Sequence, residues 1–291
     1  MNQPKIIPLL FIGLLSISLS PIVARSLSSS ATVISFWRMF LASSFLWIYS
    51  YFYFKSSTGL SYPNKIRTVL AGILLGIHFI LFYEAVKITT IANATFLGTL
   101  APFFTLIIEL VLYRRSYKKI IYIGLIIALS GMILVLINDF DLASRYTLGN
   151  IYAILCSLAI SISFLIAEKV RDTEGTIEYT RMLYGIAALT IFVIGSFYTT
   201  TFVITERIEI LGFIFLALIP TIFGHNIFYY CVKFTTPTIV GTVPLGEPII
   251  ASIVAFFLFN ELISINTAIG GALCIYGIFL ILKNRLVSKT S

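Results

Sequence analysis

Residues 241–250 read GTVPLGEPII and lie inside a run that is otherwise apolar from Thr235 to Phe259. Two prolines, two glycines and one carboxylate interrupt what would otherwise be a plain membrane helix. A carboxylate at the centre of a bilayer costs about 2.5–3.5 kcal/mol on insertion scales. Proline bends a helix because it lacks the backbone N–H. The stretch therefore predicts a membrane helix broken around Pro244 and Pro248, in which Glu247 faces protein or water.

The composition of the whole chain places that helix in a polytopic membrane protein. Of its 291 residues, 59% are apolar and 11% are charged, whereas soluble domains are about 45–50% apolar and about 25% charged. The net charge of +8 comes from basic residues in short links between apolar runs. That placement is typical of membrane orientation and not of a nucleic-acid groove, so we expect a lipid bilayer and no nucleic acid as partner.

Ten apolar runs are long enough to cross a bilayer, which takes about 20 helical residues. All ten should be helices, because an open sheet edge cannot satisfy its backbone polar groups in lipid. The fold class predicted is therefore all-α and polytopic. The predicted spans are 6–24, 32–54, 67–86, 91–112, 120–137, 148–167, 180–203, 210–232, 236–259 and 265–282.

The two halves of the chain match each other in an ordered way, which indicates a duplication. At an offset of 146 residues the matches are Lys87-Ile88-Thr89-Thr90 with Lys233-Phe234-Thr235-Thr236, Pro102 with Pro248, Gly124 with Gly270, Gly131 with Gly277, and Asn138 with Asn284. At an offset of 143, Arg38-Met39 matches Arg181-Met182. We expect two repeats, 6–137 and 148–282, of five helices each. Because five is odd, the second repeat should be inverted in the membrane.

The positive charges indicate which way the chain enters the membrane. With the N-terminus inside, 15 of the 20 Lys and Arg fall in cytoplasmic positions, four fall outside, and Arg38 lies within a span. This bias predicts that both termini are cytoplasmic, in the plasma or inner membrane. Lys5 and the apolar run after it also resemble a signal peptide with a cleavage site near Ala24. We expect the segment to be retained, because the first repeat needs it as its first helix.

Several stretches together resemble a known family of permeases. LGEPIIASIVAFFLFNELISINTAIGGALCIYGIFLI, residues 245–281, is similar to the last two helices of the EamA branch of the drug/metabolite transporter superfamily. SFWRMFLAS at 35–43 and EYTRMLYGI at 178–186 resemble the arginine-bearing second helix of each repeat. The resemblance implies a ten-helix permease built from two EamA repeats. The chain departs from the family pattern at Arg115, since the counterpart of Glu261 is usually acidic.

The deepest charges are the first candidates for a substrate site, because intramembrane ionisable groups are rarely placed without a role. Glu247 is a candidate for binding a cationic group or carrying a coupling proton; the alternative is a neutral or satisfied side chain that fixes packing. Arg38 is a candidate for binding a carboxylate; the alternatives are snorkelling and pairing with Glu84 or Glu247. Arg181 is expected to anchor a loop.

His78 and His225 occupy nearly matching places in the third and eighth spans and could titrate near neutral pH at a cavity. The alternative is a pair of hydrogen-bonded core histidines, and two ligands do not predict a metal site. Glu109 continues the stripe Gly98, Pro102, Thr105, which either lines a cavity or allows close helix packing. The remaining candidates are the cavity aromatics Trp37, Tyr83 and Tyr229 and the helix-breaking residues Pro102, Pro244 and Pro248.

The predicted function is secondary active transport of small polar or amphipathic metabolites, such as amino acids or related compounds, by alternating access. The chain lacks a GxxxxGK[ST] loop, so the substrate gradient or protons should drive it and no cofactor is expected. A channel or membrane scaffold is the first alternative. An intramembrane enzyme is the second, although neither GxSxG nor HExxH occurs. Whether the protein forms a homodimer is left open, and the three cysteines are expected to be core residues.

Overall fold

The computed structural model describes residues 6–53, 59–137, 143–198, 200–204, 206–250, 253–254 and 264–284. All the regular structure in these ranges is helical, and nine of the helices are long and apolar enough to cross a membrane. The all-α, polytopic fold class is therefore confirmed. We number the helices α1 Ile6–Ser26, α2 Ala31–Tyr53, α3 Tyr62–Ile88, α4 Ile91–Val111, α5 Lys119–Leu136, α6 Thr147–Arg171, α7 Thr176–Phe197, α8 Arg207–Cys231, α9 from Pro237, and α10 Ile265–Lys283.

The predicted spans differ from these helices mainly at their ends. Helix α3 begins at Tyr62, five residues before the predicted start, with a proline in its first turn. Proline is well tolerated there because the first N–H groups of a helix have no partner within it. Helix α7 ends at Phe197 and not at residue 203, since the Thr200 N–H turns back to the Gly195 carbonyl. Of the predicted ninth span, the structure describes 236–250 and 253–254, and Glu261 lies outside the described residues.

Within the described residues four helices are interrupted, the first of them being α1, which turns at residues 18 and 19. Helix α4 breaks at residues 99 and 100, directly before its second segment, Ala101–Val111, which has Pro102 in its first turn. Helix α8 contains a π-helical segment, Ala217–His225, with Pro220 inside it. Helix α9 starts as Pro237–Gly241 and continues through a 3₁₀ turn, Val243–Gly246, that includes Pro244. Each break leaves backbone groups without helical partners, which is tolerated where protein or a cavity lies beside them.

The helices pack as pairs drawn from the two halves of the chain. Helix α5 packs on α10, α4 on α9 and α2 on α7, while α3 packs on α6 and α1 packs on α8. The pairing is symmetric: if each helix is replaced by the helix at the same place in the other half (α1 by α6, α2 by α7, and so on), the same pairs result. Small residues allow the closest approach: a Cβ atom at Gly131 would lie 2.4 Å from the backbone nitrogen of Cys274. Helices in lipid associate mainly through such close packing, because lipid tails are as apolar as the side chains and the hydrophobic effect does not drive the helices together.

Candidate functional site

A small cavity lies at the centre of the bundle, between the two halves of the chain. Residues of α1, α2, α3, α4, α6, α8 and α9 line it. Its volume is about 60 Å³, whereas one water molecule needs about 10–15 Å³ by the same measure. It therefore has room for a few water molecules in this conformation. Its polar lining residues are Ser20, Arg38, His78, Thr99, His225 and Glu247.

Arg38 is the most extensively held of these side chains, with 1% of its surface exposed. Its Nε donates to the Thr221 hydroxyl at 2.7 Å. Its Nη1 donates to the Ser20 hydroxyl at 2.9 Å and to the Tyr83 hydroxyl, and its Cζ lies 4.2 Å from the centre of the Phe79 ring. The Nη2 atom is buried and has no hydrogen-bond partner among the described residues. A guanidinium with one free edge is suited to receive a carboxylate oxygen.

The π-helical segment of α8 places one of the groups that hold Arg38. The Thr221 hydroxyl donates to the Leu216 carbonyl, five residues earlier, at 2.8 Å. The Ser20 hydroxyl comes from α1, just after its kink at residues 18 and 19, and lies 3.0 Å from the Tyr83 hydroxyl. Sequence reasoning predicted Arg38 and Tyr83 but missed Ser20 and Thr221. The only sequence feature that pointed to Thr221 is Pro220 within an apolar run.

Glu247 directly follows the 3₁₀ turn Val243–Gly246 of α9. Its side chain lines the cavity, and 5% of its surface is exposed. Within the described part of the chain it forms no ion pair. Among the described residues Arg38 forms no direct ion pair with Glu84 or Glu247 in this conformation. A buried carboxylate and a buried guanidinium face the same small cavity without neutralising each other in a direct contact, which is a costly arrangement in a medium of low polarity.

The two histidines come together at the cavity. Their ring centres are 6.3 Å apart. The Nδ1 of His78 lies 2.9 Å from the Cys156 carbonyl, so that carbonyl fixes the ring. The Nδ1 of His225 is buried and has no hydrogen-bond partner in the part of the chain that the structure describes. Among the described residues, no three His, Cys, Asp or Glu side chains are grouped so as to hold a metal ion.

Glu109 does not line the cavity but organises a separate polar group, which we call the Glu109 cluster: Glu109, Arg115, Tyr117, Glu168, Thr236 and Thr238. Arg115 binds Glu109 at 2.5 Å and Glu168 at 2.8 Å. The Tyr117 hydroxyl donates to Glu109 at 2.5 Å, and Thr238 also donates to it. Burial and the nearby Glu109 carboxylate raise the pKa of Tyr117, so its hydroxyl keeps the proton that it donates. The cluster joins the ends of α4 and α6 to the start of α9.

The remaining predicted site residues are spread over the bundle. The Trp37 ring stacks on Phe213, and its Nε1 donates to the Phe202 carbonyl at 3.0 Å, away from the cavity. Tyr229 lies among other aromatic residues between α6, α7 and α8. Of the three predicted helix-breaking prolines, Pro244 lines the cavity, whereas Pro102 and Pro248 do not belong to its lining.

A polytopic helical bundle with charged groups around a small central cavity has the construction of a membrane transporter. The model of the EamA-like transporter family matches residues 4–137 and 147–283. The chain belongs to this family, which is part of the drug/metabolite transporter superfamily, and the family membership inferred from the sequence is confirmed.

Relatives and solved structures agree with this assignment. Two proteins of Archaeoglobus fulgidus, each named an uncharacterized transporter, are 25% and 24% identical; the matches cover 68% and 85% of this chain and 70% and 86% of the relatives. The thiamine-repressible mitochondrial transport protein of Saccharomyces cerevisiae is 25% identical over 69% of this chain and 58% of its own length. A crystal structure aligns over 98% of this chain and 99% of its own with a TM-score of 0.79 and 16% identity, which supports the fold alone.

Proposed function

We propose that the protein is a secondary transporter of small polar or amphipathic metabolites, with amino acids and related zwitterions as the substrate class. The observation that carries this proposal is the free Nη2 atom of the buried Arg38 in the same cavity as Glu247. A zwitterion brings a carboxylate to the guanidinium and an ammonium group to the carboxylate. It thereby satisfies two buried charges that the protein leaves apart.

Alternating access explains why the cavity is small. A cavity of about 60 Å³ holds a few water molecules and not an amino acid, so the substrate must enter through a more open conformation. We propose that the halves 6–137 and 148–282 are the two units that exchange conformations. Two inverted repeats around a midplane site are the usual basis of such exchange.

The Glu109 cluster is the closure at one end of the bundle. With both termini in the cytoplasm, as the distribution of Lys and Arg predicts, this end faces the cytoplasm of the cell. Arg115 ties α4 to α6, while Tyr117 and Thr238 tie the same carboxylate to α9. Separating these helices requires Glu109 to release its partners. The substrate gradient or a proton carried by Glu247 is the energy source that fits these residues.

Transport assays in proteoliposomes test the proposal. Purified protein is reconstituted, a pH gradient is imposed, and uptake and efflux of a labelled panel of amino acids, polyamines and purines are measured. We expect flux for at least one zwitterionic solute, and loss of that flux or of its pH dependence in Glu247→Gln. Absence of flux for the whole panel, with folded protein confirmed in the same vesicles, would rule the proposal out. Single-channel currents would favour the channel alternative.

A further inference from the structure

Four hydroxyl groups form a second polar group beside the central cavity, which we call the tyrosine cluster: Ser163 of α6, Tyr179 and Tyr184 of α7, and Tyr229 of α8. The ring centres of Tyr179 and Tyr184 lie 5.6 Å and 6.4 Å from that of Tyr229. The Ser163 hydroxyl lies 3.4 Å from the Tyr229 hydroxyl. All four side chains are fully buried. The cluster lies where α6 and α8 end and α7 begins.

The first half of the chain contains a counterpart of this cluster. Ser163 and Tyr229 stand 143 and 146 positions after Ser20 and Tyr83, the same offsets that relate the two halves. The Ser20 and Tyr83 hydroxyls are in contact at 3.0 Å, as are those of Ser163 and Tyr229 at 3.4 Å. In the first half this pair of hydroxyls accepts hydrogen bonds from the Arg38 guanidinium. A serine–tyrosine pair at this place in the fold is therefore a cradle for a cation.

In the second half no arginine fills the equivalent cradle. Arg181, the counterpart of Arg38 in sequence, donates instead to the Ser50 hydroxyl and lies with its Cζ 4.1 Å from the centre of the Trp47 ring. The cradle faces Tyr179 and Tyr184, whose hydroxyls have no hydrogen-bond partner within the described residues. A buried hydroxyl without a partner is unfavourable, because it has lost its hydrogen bonds to water and gained none. Native structures keep such groups where a ligand or water satisfies them.

We propose that the tyrosine cluster binds the ammonium group of a cationic or zwitterionic solute. Hydroxyl oxygens accept the N–H bonds of an ammonium group. The rings of Phe164, Tyr179, Tyr184 and Tyr229 surround the site with aromatic surface, which attracts cations. A positive charge beside the cluster, Arg171, donates to the backbone carbonyls of Tyr229 and Glu174 and interacts with the Glu178 carboxylate.

The tyrosine cluster and the central cavity share a wall, because Phe164 lines the cavity and its ring lies 5.3 Å from the Tyr229 ring. A solute that leaves the cavity toward this end of the bundle therefore meets the cluster next. The role of the cluster as a second substrate subsite rests on the proposed transport function. Its ability to bind a cation does not, because cation binding can be measured without measuring transport.

Thermal unfolding of the full-length protein in detergent tests the site. The probe is propylammonium chloride, with sodium propionate and sodium chloride at the same concentrations as controls for charge sign and ionic strength. The variant Tyr179→Phe/Tyr184→Phe keeps both rings and removes both unpartnered hydroxyls. Tyr276→Phe, at an exposed tyrosine of α10, is the matched control. Ser163→Ala, which removes one hydroxyl of the cradle, is a second and milder variant.

Propylammonium should raise the unfolding midpoint of the wild type and of Tyr276→Phe by a few degrees at saturation, since a ligand that binds only the folded state stabilises it. The shift should be lost in the double variant and reduced in Ser163→Ala. Without a probe the double variant should unfold at the same temperature as the wild type or higher, because two unsatisfied groups are gone.

Three results would overturn the site: equal propylammonium shifts in the wild type and the double variant, no shift in the wild type, or a shift with propionate instead. A lower midpoint of the double variant without a probe would also overturn it, because it would show that the hydroxyls have partners within the protein. Loss of flux in proteoliposomes alongside normal propylammonium binding would instead remove the transport function and leave the site.

Discussion

Arg115 and Glu109 are joined by an ion pair of 2.5 Å although they lie on opposite sides of the turn that ends α4. The turn is sharp: the Arg115 N–H also binds the Glu109 carbonyl, and Arg114 has a φ of 50°, in the left-handed region that is unfavourable for a side chain of this kind. The turn therefore directs Arg115 back toward the bundle. The same guanidinium reaches Glu168 of α6, so one residue of a short link holds two membrane helices together.

Glu109→Gln should lower the unfolding midpoint of the purified protein, by the equivalent of about 2 kcal/mol, because it removes the charge that accepts from Arg115, Tyr117 and Thr238. The measurement is thermal unfolding in detergent. Glu206→Gln, at an exposed glutamate outside the helices, is the control and should leave the midpoint unchanged. Equal midpoints for the two variants would show that the cluster does not hold this end of the bundle closed.

Arg38→Lys should raise the KM for a zwitterionic substrate about tenfold or more, which corresponds to about 1.4 kcal/mol. Lysine keeps the positive charge, but its ammonium group has only three N–H donors, and binding Thr221, Ser20 and Tyr83 would leave none for a carboxylate. Initial rates of uptake in proteoliposomes give the KM. Arg67→Lys, at an exposed arginine, is the matched control. An unchanged KM in Arg38→Lys would mean that Arg38 has a packing role only.

Most of the fold was predictable because lipid imposes strong rules. A span needs about 20 apolar residues, its backbone must be helical, and basic links stand out in a chain that is only 11% charged. The ends of spans were harder, since capping and tertiary contacts set them. We did not predict a break at Pro220. The π-helical segment that contains it packs against α1 and α2, and these tertiary contacts cannot be read from the sequence of α8.

The candidate site was predictable where a residue is unusual for a membrane helix, and not elsewhere. Arg38, Glu247 and the two histidines stand out by charge, and the structure brings all four to one cavity. Ser20 and Thr221 are ordinary residues in apolar helices, and only the neighbouring Pro220 gave an indirect sign of Thr221. Glu109 looked like a cavity residue, but the return of the chain at Arg115 gives it partners of its own. Whether Trp37 and Tyr229 face the cavity depends on how their helices are rotated about their axes, and the residue types do not reveal that rotation.

Glu247→Gln should leave the yield of folded protein about the same and abolish transport or its dependence on pH. Glutamine has nearly the same shape as glutamate but neither binds an ammonium group by charge nor carries a proton. The measurement is flux in proteoliposomes over a range of pH on both faces of the membrane. Glu84→Gln, at a half-buried glutamate outside the cavity lining, is the control. Transport with an unchanged pH profile in Glu247→Gln would make Glu247 a structural residue.

Adjacent glycines in α10 give a test of how the two halves pack. A Cβ atom at Gly270 would lie 2.6 Å from the Gly131 carbonyl oxygen and 2.8 Å from the Val135 nitrogen of α5, and backbone atoms cannot move aside. Among the described residues, a Cβ atom at Gly271 would meet only Ile249, at an ordinary 3.5 Å. Gly270→Ala should therefore force α5 and α10 apart and destabilise the protein by about 1–3 kcal/mol.

Gly271→Ala should be neutral or slightly stabilising, since alanine is the better helix former. Both variants add one methyl group to the same helix one residue apart, so expression, detergent binding and hydrophobicity are matched. The measurement is the thermal unfolding midpoint of each variant, compared under the same conditions. A Gly270→Ala protein as stable as Gly271→Ala would mean that α5 and α10 do not pack backbone to backbone, and the contact that joins the last helix of each half would have to be placed elsewhere.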